Sequence, residues 1–305
     1  MVIGIKRQGF FALRKRHNER LEMEQQLHYM IYKVRDNHPQ MGVREMYFKI
    51  HPEGIGRDAF EAFSRANGYM CERKINFTTT TDSRGVHRFP NHMTEMEHLV
   101  EGPNQLWESD ISYFEVAGRF NYITLIQDFY SKIVVGHSAS ISLTTEVTTL
   151  PALKMAIKRN KKYGLKGLVL HSDGGGQYYD KAFVTLTERH TIINSMCEYP
   201  WENGMAESLN NVIKNKYLHY RNIRNFKELQ QELDRTVSLY NYDKPHSSLK
   251  RMTPVEFEKK WLNLISQKNA TGTESFDAKV QKKGTSRPFL PSQKNAQGRD
   301  VISAK

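Results

Sequence analysis

The feature that most constrains this chain is three β-rich stretches in close succession after residue 101, followed by regular alternation. "NQLWESDISYFEV", "RFNYITLIQDF" and "KIVVGHSAS" are rich in β-branched and aromatic residues. Gly118 separates the first two as a hairpin turn, and Tyr130-Ser131 the next two. Spacing this tight makes the three strands antiparallel neighbours. A helical pattern then covers 144–162, with Pro151 in its first turn, before "GLVLHSD", a short apolar strand without alternation, as expected when both faces are covered. "KAFVTLTERH" reads as a helix, "TIINSM" as a strand and "ENGMAESLNNVIKNKYLHY" as a long helix. The order βββαβαβα predicts an α/β fold, a mixed five-stranded sheet flanked by helices.

What precedes this core is helical and basic. Leu21, Leu27, Ile31 and Val34 recur at helical spacing behind Asn18, a cap candidate. Two short helices follow across a Pro-Glu-Gly turn, one with Met46, Tyr47 and Ile50 apolar, the other with Phe60 and Phe63 and an end near Gly68. That is a helix-turn-helix pattern. Residues 1–75 are therefore read as a helical DNA-binding region and 76–100 as a linker. The catalytic core is placed at 101–222 and a helical extension at 223–265, whose last helix starts with Thr253 as cap and Pro254 in first position. Residues 266–305, poor in large apolar side chains, are expected to form a disordered basic tail.

A formal charge of +12 points to a polyanionic partner, most simply nucleic acid. Cys71 and Cys197 alone cannot build a disulfide framework or a Cys-rich zinc module, and they fit a reducing cytosol. No apolar run is long enough for a membrane span, and the N-terminal apolar stretch is too short for a signal peptide.

Three carboxylates carry the chemistry. Asp110 lies inside the first strand, a position strands disfavour, sharing a face with Glu108 and Ser112 while Trp107, Ser109, Ile111 and Tyr113 take the other. Asp173 ends the fourth strand, expected beside the first, and open α/β sheets keep their sites at such carboxyl ends. Glu207 lies on the long helix, in a polar stripe with Asn203, Asn211 and Lys214 suited to lie over a phosphodiester. Three oxygen donors favour Mg²⁺ or Mn²⁺ over zinc, and two such ions could clamp an in-line displacement at phosphorus. Gly174, Gly175 and Gly176 beside Asp173 would give DNA and metal clearance from Cβ atoms. Lys214 and Lys216 are candidate phosphate contacts. His171 is read as a core histidine, Asp128 as a turn residue and Glu108 as reaching a nearby cation. His246 is expected to make a structural hydrogen bond.

With these blocks in place, the chain resembles the OrfB-type transposases of the insertion-sequence-three family, within the DDE transposase and retroviral integrase superfamily. The resemblance rests on "NQLWESDISYF", "YITLIQDFYSKIVVGHS", "HSDGGGQY", "SMCEYPWENGMAESLNNVIK" and "YNYDKPHSSLKRMTPVEF", in that order, with "HPQMGVREMYFKI" and "GIGRDAFEAFSRANGY" resembling the helical DNA-binding segment. It implies a ribonuclease H-like core, catalytic acids Asp110, Asp173 and Glu207, and about two Mg²⁺ or Mn²⁺ ions per site. It implies strand cleavage by water at the element's ends and strand transfer by the freed 3′-hydroxyl. Double-stranded DNA, as terminal repeats and target, would be the partner of a homo-oligomer in the bacterial cytoplasm, with an upstream-frame helix-turn-helix partner or fusion.

The chain departs from the family in places. The spacing from Asp173 to Glu207 is slightly short, and Glu202 offers a rival third acid. Lys244 stands where Arg is common, leaving a single-point phosphate contact, and Gly174 where a basic residue is usual. Two alternatives remain: a ribonuclease H-like nuclease that cuts without joining, and a catalytically silent DNA-binding protein.

Overall fold

The computed structural model describes residue 4 and residues 6–71 and 89–270. Its centre is a five-stranded sheet built from β1 (Leu106–Val116), β2 (Arg119–Asp128), β3 (Val134–Ser140), β4 (Val169–Ser172) and β5 (Ile193–Met196), in the order β3-β2-β1-β4-β5. β1 pairs antiparallel with β2, and β2 with β3; β1–β4 and β4–β5 are parallel. The β1–β2 hairpin closes through Ala117 (φ 49°) and Gly118 (φ 75°), with Val116 opposite Arg119. Positive φ at both central residues belongs to the tight turn that matches strand twist. Asp128 takes the turn role expected of it: its carboxylate accepts from Ser131 N (2.7 Å), Ser131 Oγ (2.6 Å) and Asn104 N (2.7 Å).

Helices cover both faces. On one, α5 (Thr149–Asn160) and α6 (Lys181–Arg189) bring Leu153, Ala156 and Phe183 against Trp107, Ile126 and Val135. On the other, α7 (Gly204–Lys216) and α8 (Phe226–Tyr242) bring Leu209, Ile213, Leu233 and Val237 against Phe114, Ile123 and Leu125. The alternation of β1 divides its side chains between these layers, leaving Glu108, Asp110 and Ser112 under α7. All four residues of β4 are buried, which is why they show no alternation. α5 starts at Thr149, not 144, because 144–148 form turns. Its backbone comes so close to β3 that a Cβ on Gly136 would lie 2.1 Å from the Ala152 carbonyl oxygen.

The N-terminal part is a three-helix unit. α1 (Arg7–Asn37), α2 (Val43–Ile50) and α3 (Arg57–Ala66) share a core of Leu27, Ile31, Val34, Met46 and Phe60. α1 begins eleven residues before Asn18, which is mid-helix and not a cap, because nothing in the preceding sequence breaks the helix. Leu21 is accordingly exposed.

Residues 76–88 of the expected linker lie outside the described residues, but 89–100 pack on the core. They carry a one-turn helix, α4 (Met93–Met96), and Met93 and Val100 contact the Leu106–Val169 cluster. α9 (Pro254–Ala270) opens with Thr253 as the cap expected from sequence, to which Glu256 adds a reciprocal bond, at 3.3 and 2.8 Å, and runs past residue 265. The rest of the expected tail, 271–305, lies outside the described residues. Among the described residues no helix is long and apolar enough to cross a membrane.

Candidate functional site

Parallel pairing of β1 with β4 builds the site. Ser109 stands opposite Ser172, so the next residues, Asp110 and Asp173, emerge side by side. Both keep part of their surface open to solvent. Desolvation of the remainder, then the charges of Asp173 and Glu207, lift Asp110 to about 7 against the opposing bond from Asn210. Burial raises Asp173 as well, opposed by the Gly175 N–H, which donates to Asp173 Oδ1 at 3.1 Å.

α7 is stitched onto β1 along a seam. Asn203 Nδ2 donates to the Ser109 carbonyl (3.2 Å), Ala206 N to Glu108 Oε2 (3.0 Å) and Asn210 Nδ2 to Asp110 Oδ2 (2.7 Å). Ser112 Oγ donates to Asn210 Oδ1 (3.0 Å), and Lys214 Nζ reaches the Tyr113 carbonyl (3.3 Å). The face over the site is therefore 203-207-210-214, with Asn210 where the sequence reading placed Asn211. Asn211 is exposed and pairs with Asn215 at 2.5 Å. A step of three after Glu207 fits the helix as well as a step of four, so spacing left Asn210 and Asn211 equally eligible.

Glu207 is exposed in the first turn of α7, close enough for its charge to act on Asp110. Its rival Glu202 is committed elsewhere, its Oε2 accepting from Glu198 N (2.6 Å) and Tyr199 N (2.9 Å) as a cap. Lys214 lies near enough for Asp110 to oppose the desolvation that lowers its pKa, and Lys216 is exposed.

The glycine run does less than expected. A Cβ on Gly176 would meet open space, whereas one on Gly175 would lie 3.1 Å from both Asp173 Oδ1 and Gln177 Oε1. Gly175 thus makes room for the carboxylate of Asp173 itself. Gly174 is half-buried beside it. Lys244 is not poised for phosphate: it is buried, 3.5 Å from Glu45 on α2. His171 is a core residue on Ser195 Oγ (2.9 Å), pushed down to about 4 by burial. His246 packs edge-on against Tyr240.

The donor set fits a hard divalent cation. All three carboxylates offer oxygen, and burial, then repulsion from Asp173 and Glu207, raises Asp110, a repulsion that a cation would relieve. Among the described residues no three His, Cys, Asp or Glu side chains are already gathered at ion-binding distance, Glu207 standing off at the surface.

The sheet order, the antiparallel β1–β2–β3 meander and the acids on β1, after β4 and on α7 define a ribonuclease H-like, integrase-type core. Family models described as "Integrase core domain" match residues 100–199 and 189–254. An uncharacterized 31 kDa protein of insertion element IS600 from Shigella sonnei is 26% identical over 279 residues, covering 87% of this chain and 99% of that protein. The transposase for insertion sequence element IS629 from Shigella sonnei is 27% identical, over 75% of this chain and 77% of that one. Transposase InsF of insertion sequence IS3A from Escherichia coli K12 is 28% identical, over 64% and 68%. Among solved structures, the HTLV-2 integrase catalytic core in complex with magnesium is 19% identical with a TM-score of 0.42, covering 52% of this chain and 98% of that one. The chain carries an integrase core domain over residues 100–254 and is similar to the transposases of the insertion-sequence-three family, and its function is that of a transposase.

Proposed function

We propose that this transposase cuts and joins DNA by metal-dependent phosphoryl transfer, with Asp110, Asp173 and Glu207 holding the ions. The observation that carries the reading is the β1–β4 register, which sets Asp110 beside Asp173 while Glu207 projects from the helix packed over β1. Two Mg²⁺ or Mn²⁺ ions would activate the attacking oxygen and neutralise charge on the leaving one. Asn210 fixes the rotamer of Asp110, and the Gly175 N–H fixes that of Asp173. Lys214 on the site face of α7, the exposed Lys216 and Asn211 on the same helix, and Gly174 and Gly175 after Asp173 would contact the phosphate backbone. The DNA would be the element's terminal repeats and then the target. The three-helix unit would supply further DNA contacts, in a homo-oligomer able to bring two ends together and with an upstream-frame helix-turn-helix partner.

The test is a reaction of the protein with duplexes ending in the element's terminal repeats, in Mg²⁺. Joined products are expected, and Asp173→Asn should bind the duplexes but yield none. Nicks without joining would replace the reading with a nuclease, and binding without metal-dependent chemistry with a silent DNA-binding protein. Joining by Asp173→Asn would remove Asp173 from the site.

A further inference from the structure

Glu108 is a buried acid that the chemistry above does not use. It is 0% exposed in β1, two residues before Asp110 and on the same face. Oε2 accepts the Ala206 N–H at 3.0 Å, while Oε1 is buried without a hydrogen-bond partner. Lys132 supplies a favourable charge, and its Nζ lies 2.9 Å from Met205 Sδ, beside Ala206. A carboxylate half-satisfied in a core is a poor structural choice, since an apolar side chain of similar volume costs less to bury. The bond must therefore matter for where it lands. Ala206 is the residue immediately before Glu207, and its N–H is one of those a helix leaves unpaired in its first turn.

We propose that Glu108 is a positioning residue for the third carboxylate. By holding the backbone at Ala206 it fixes the start of α7 against β1, and so sets the point from which Glu207 reaches toward Asp110. Asn203 and Asn210 hold α7 on either side through Ser109 and Asp110, but of the five seam contacts only that of Glu108 addresses the backbone next to Glu207. The inference rests on the reading of Glu207 as a metal-binding acid.

Two conservative variants oppose charge to reach. Glu108→Gln keeps a carbonyl acceptor at the right distance and loses the charge; Glu108→Asp keeps the charge and withdraws the acceptor by one methylene. Mn²⁺ affinity is measured on the protein alone by electron paramagnetic resonance, beside strand joining and thermal midpoint. Glu108→Gln should stay within about threefold of wild type in both affinity and joining, and Glu108→Asp should lose about tenfold or more, as residues supporting metal ligands do. Glu108→Asp performing as well as Glu108→Gln overturns the proposal. So does a lower midpoint with unchanged Mn²⁺ affinity, which would make Glu108 merely structural. Glu207→Gln separates the two levels. If it loses Mn²⁺ affinity while Glu108→Asp does not, only the positioning role fails. If Glu207→Gln binds Mn²⁺ and joins ends like wild type, the reading of Glu207 fails and the inference with it.

Discussion

As a proposed metal ligand, Asp110 would combine two opposed demands, a charge that a cation requires and a setting that resists charge. Desolvation and then Asp173 hold its carboxyl up to about 7, against an ordinary 3.8. The folded protein therefore binds this proton more tightly than the unfolded chain does. The resulting stabilisation is complete below pH 3.8 and is lost as pH rises from there to about 7. In EDTA, the wild-type thermal midpoint should fall across that window more steeply than that of Asp110→Asn; parallel profiles would show that Asp110 is not strained. Adding Mg²⁺ at pH 8 should raise the wild-type midpoint and leave Asp110→Asn nearly unmoved, since a ligand stabilises only a state that binds it. Asn210 is the counterpart. Asn210→Ala frees the Asp110 carboxylate and should slow strand joining about 10- to 100-fold while the protein still folds, measured beside its circular dichroism. Joining at the wild-type rate would mean that Asp110 needs no orientation.

At the scale of elements, the sheet was readable because strands announce themselves twice, by β-branched and aromatic content and by turns. The hairpin at Gly118 and the unalternating β4 both follow from local rules that tertiary packing did not override. The phase of α7 was not readable to one residue. Glu207 can be followed at helical spacing by either Asn210 or Asn211, and only contact with Ser112 and Asp110 decides for Asn210. The anchoring of α7 by Glu108 was hidden for the same reason, since its partner is a backbone N–H that no side-chain pattern displays. Gly136 is another such case: in sequence it looks like a weak point in a strand, but it is where α5 touches the sheet. Gly136→Ala should destabilise the protein by about 1–3 kcal/mol or more, because the atom it meets is rigid backbone. Urea unfolding measures this, and an unchanged midpoint would show that α5 can slide outward at no cost.

Across the whole molecule, the residue the sequence offered as a phosphate contact instead ties two parts of the chain together. Lys244 lies 3.5 Å from Glu45 on α2, and its neighbour Asp243 accepts from Lys49 Nζ (2.5 Å) and His38 Nε2 (2.8 Å). Burial pushes His38 down against the opposing pull of Asp243, and in the neutral form an Nε2–H would serve Asp243 while Nδ1 accepts from the Tyr217 hydroxyl at 2.8 Å. Arg251 stacks over the Phe48 ring at 3.4 Å nearby. The family signature around residues 240–254 thus serves as a socket for the three-helix unit, and a Lys suffices where no bidentate phosphate grip is made. The two roles of Lys244 predict opposite results. A lysine on phosphate releases about one counterion, so Lys244→Met would flatten the salt dependence of DNA binding by roughly one in log–log slope. A lysine on Glu45 leaves that slope as it was, while the loss of its partner leaves Glu45 uncompensated beside the socket. Lys244→Met should therefore bind DNA with the wild-type slope and open the 38–50 segment to protease earlier than wild type. A flattened slope with unchanged proteolysis would return Lys244 to the DNA.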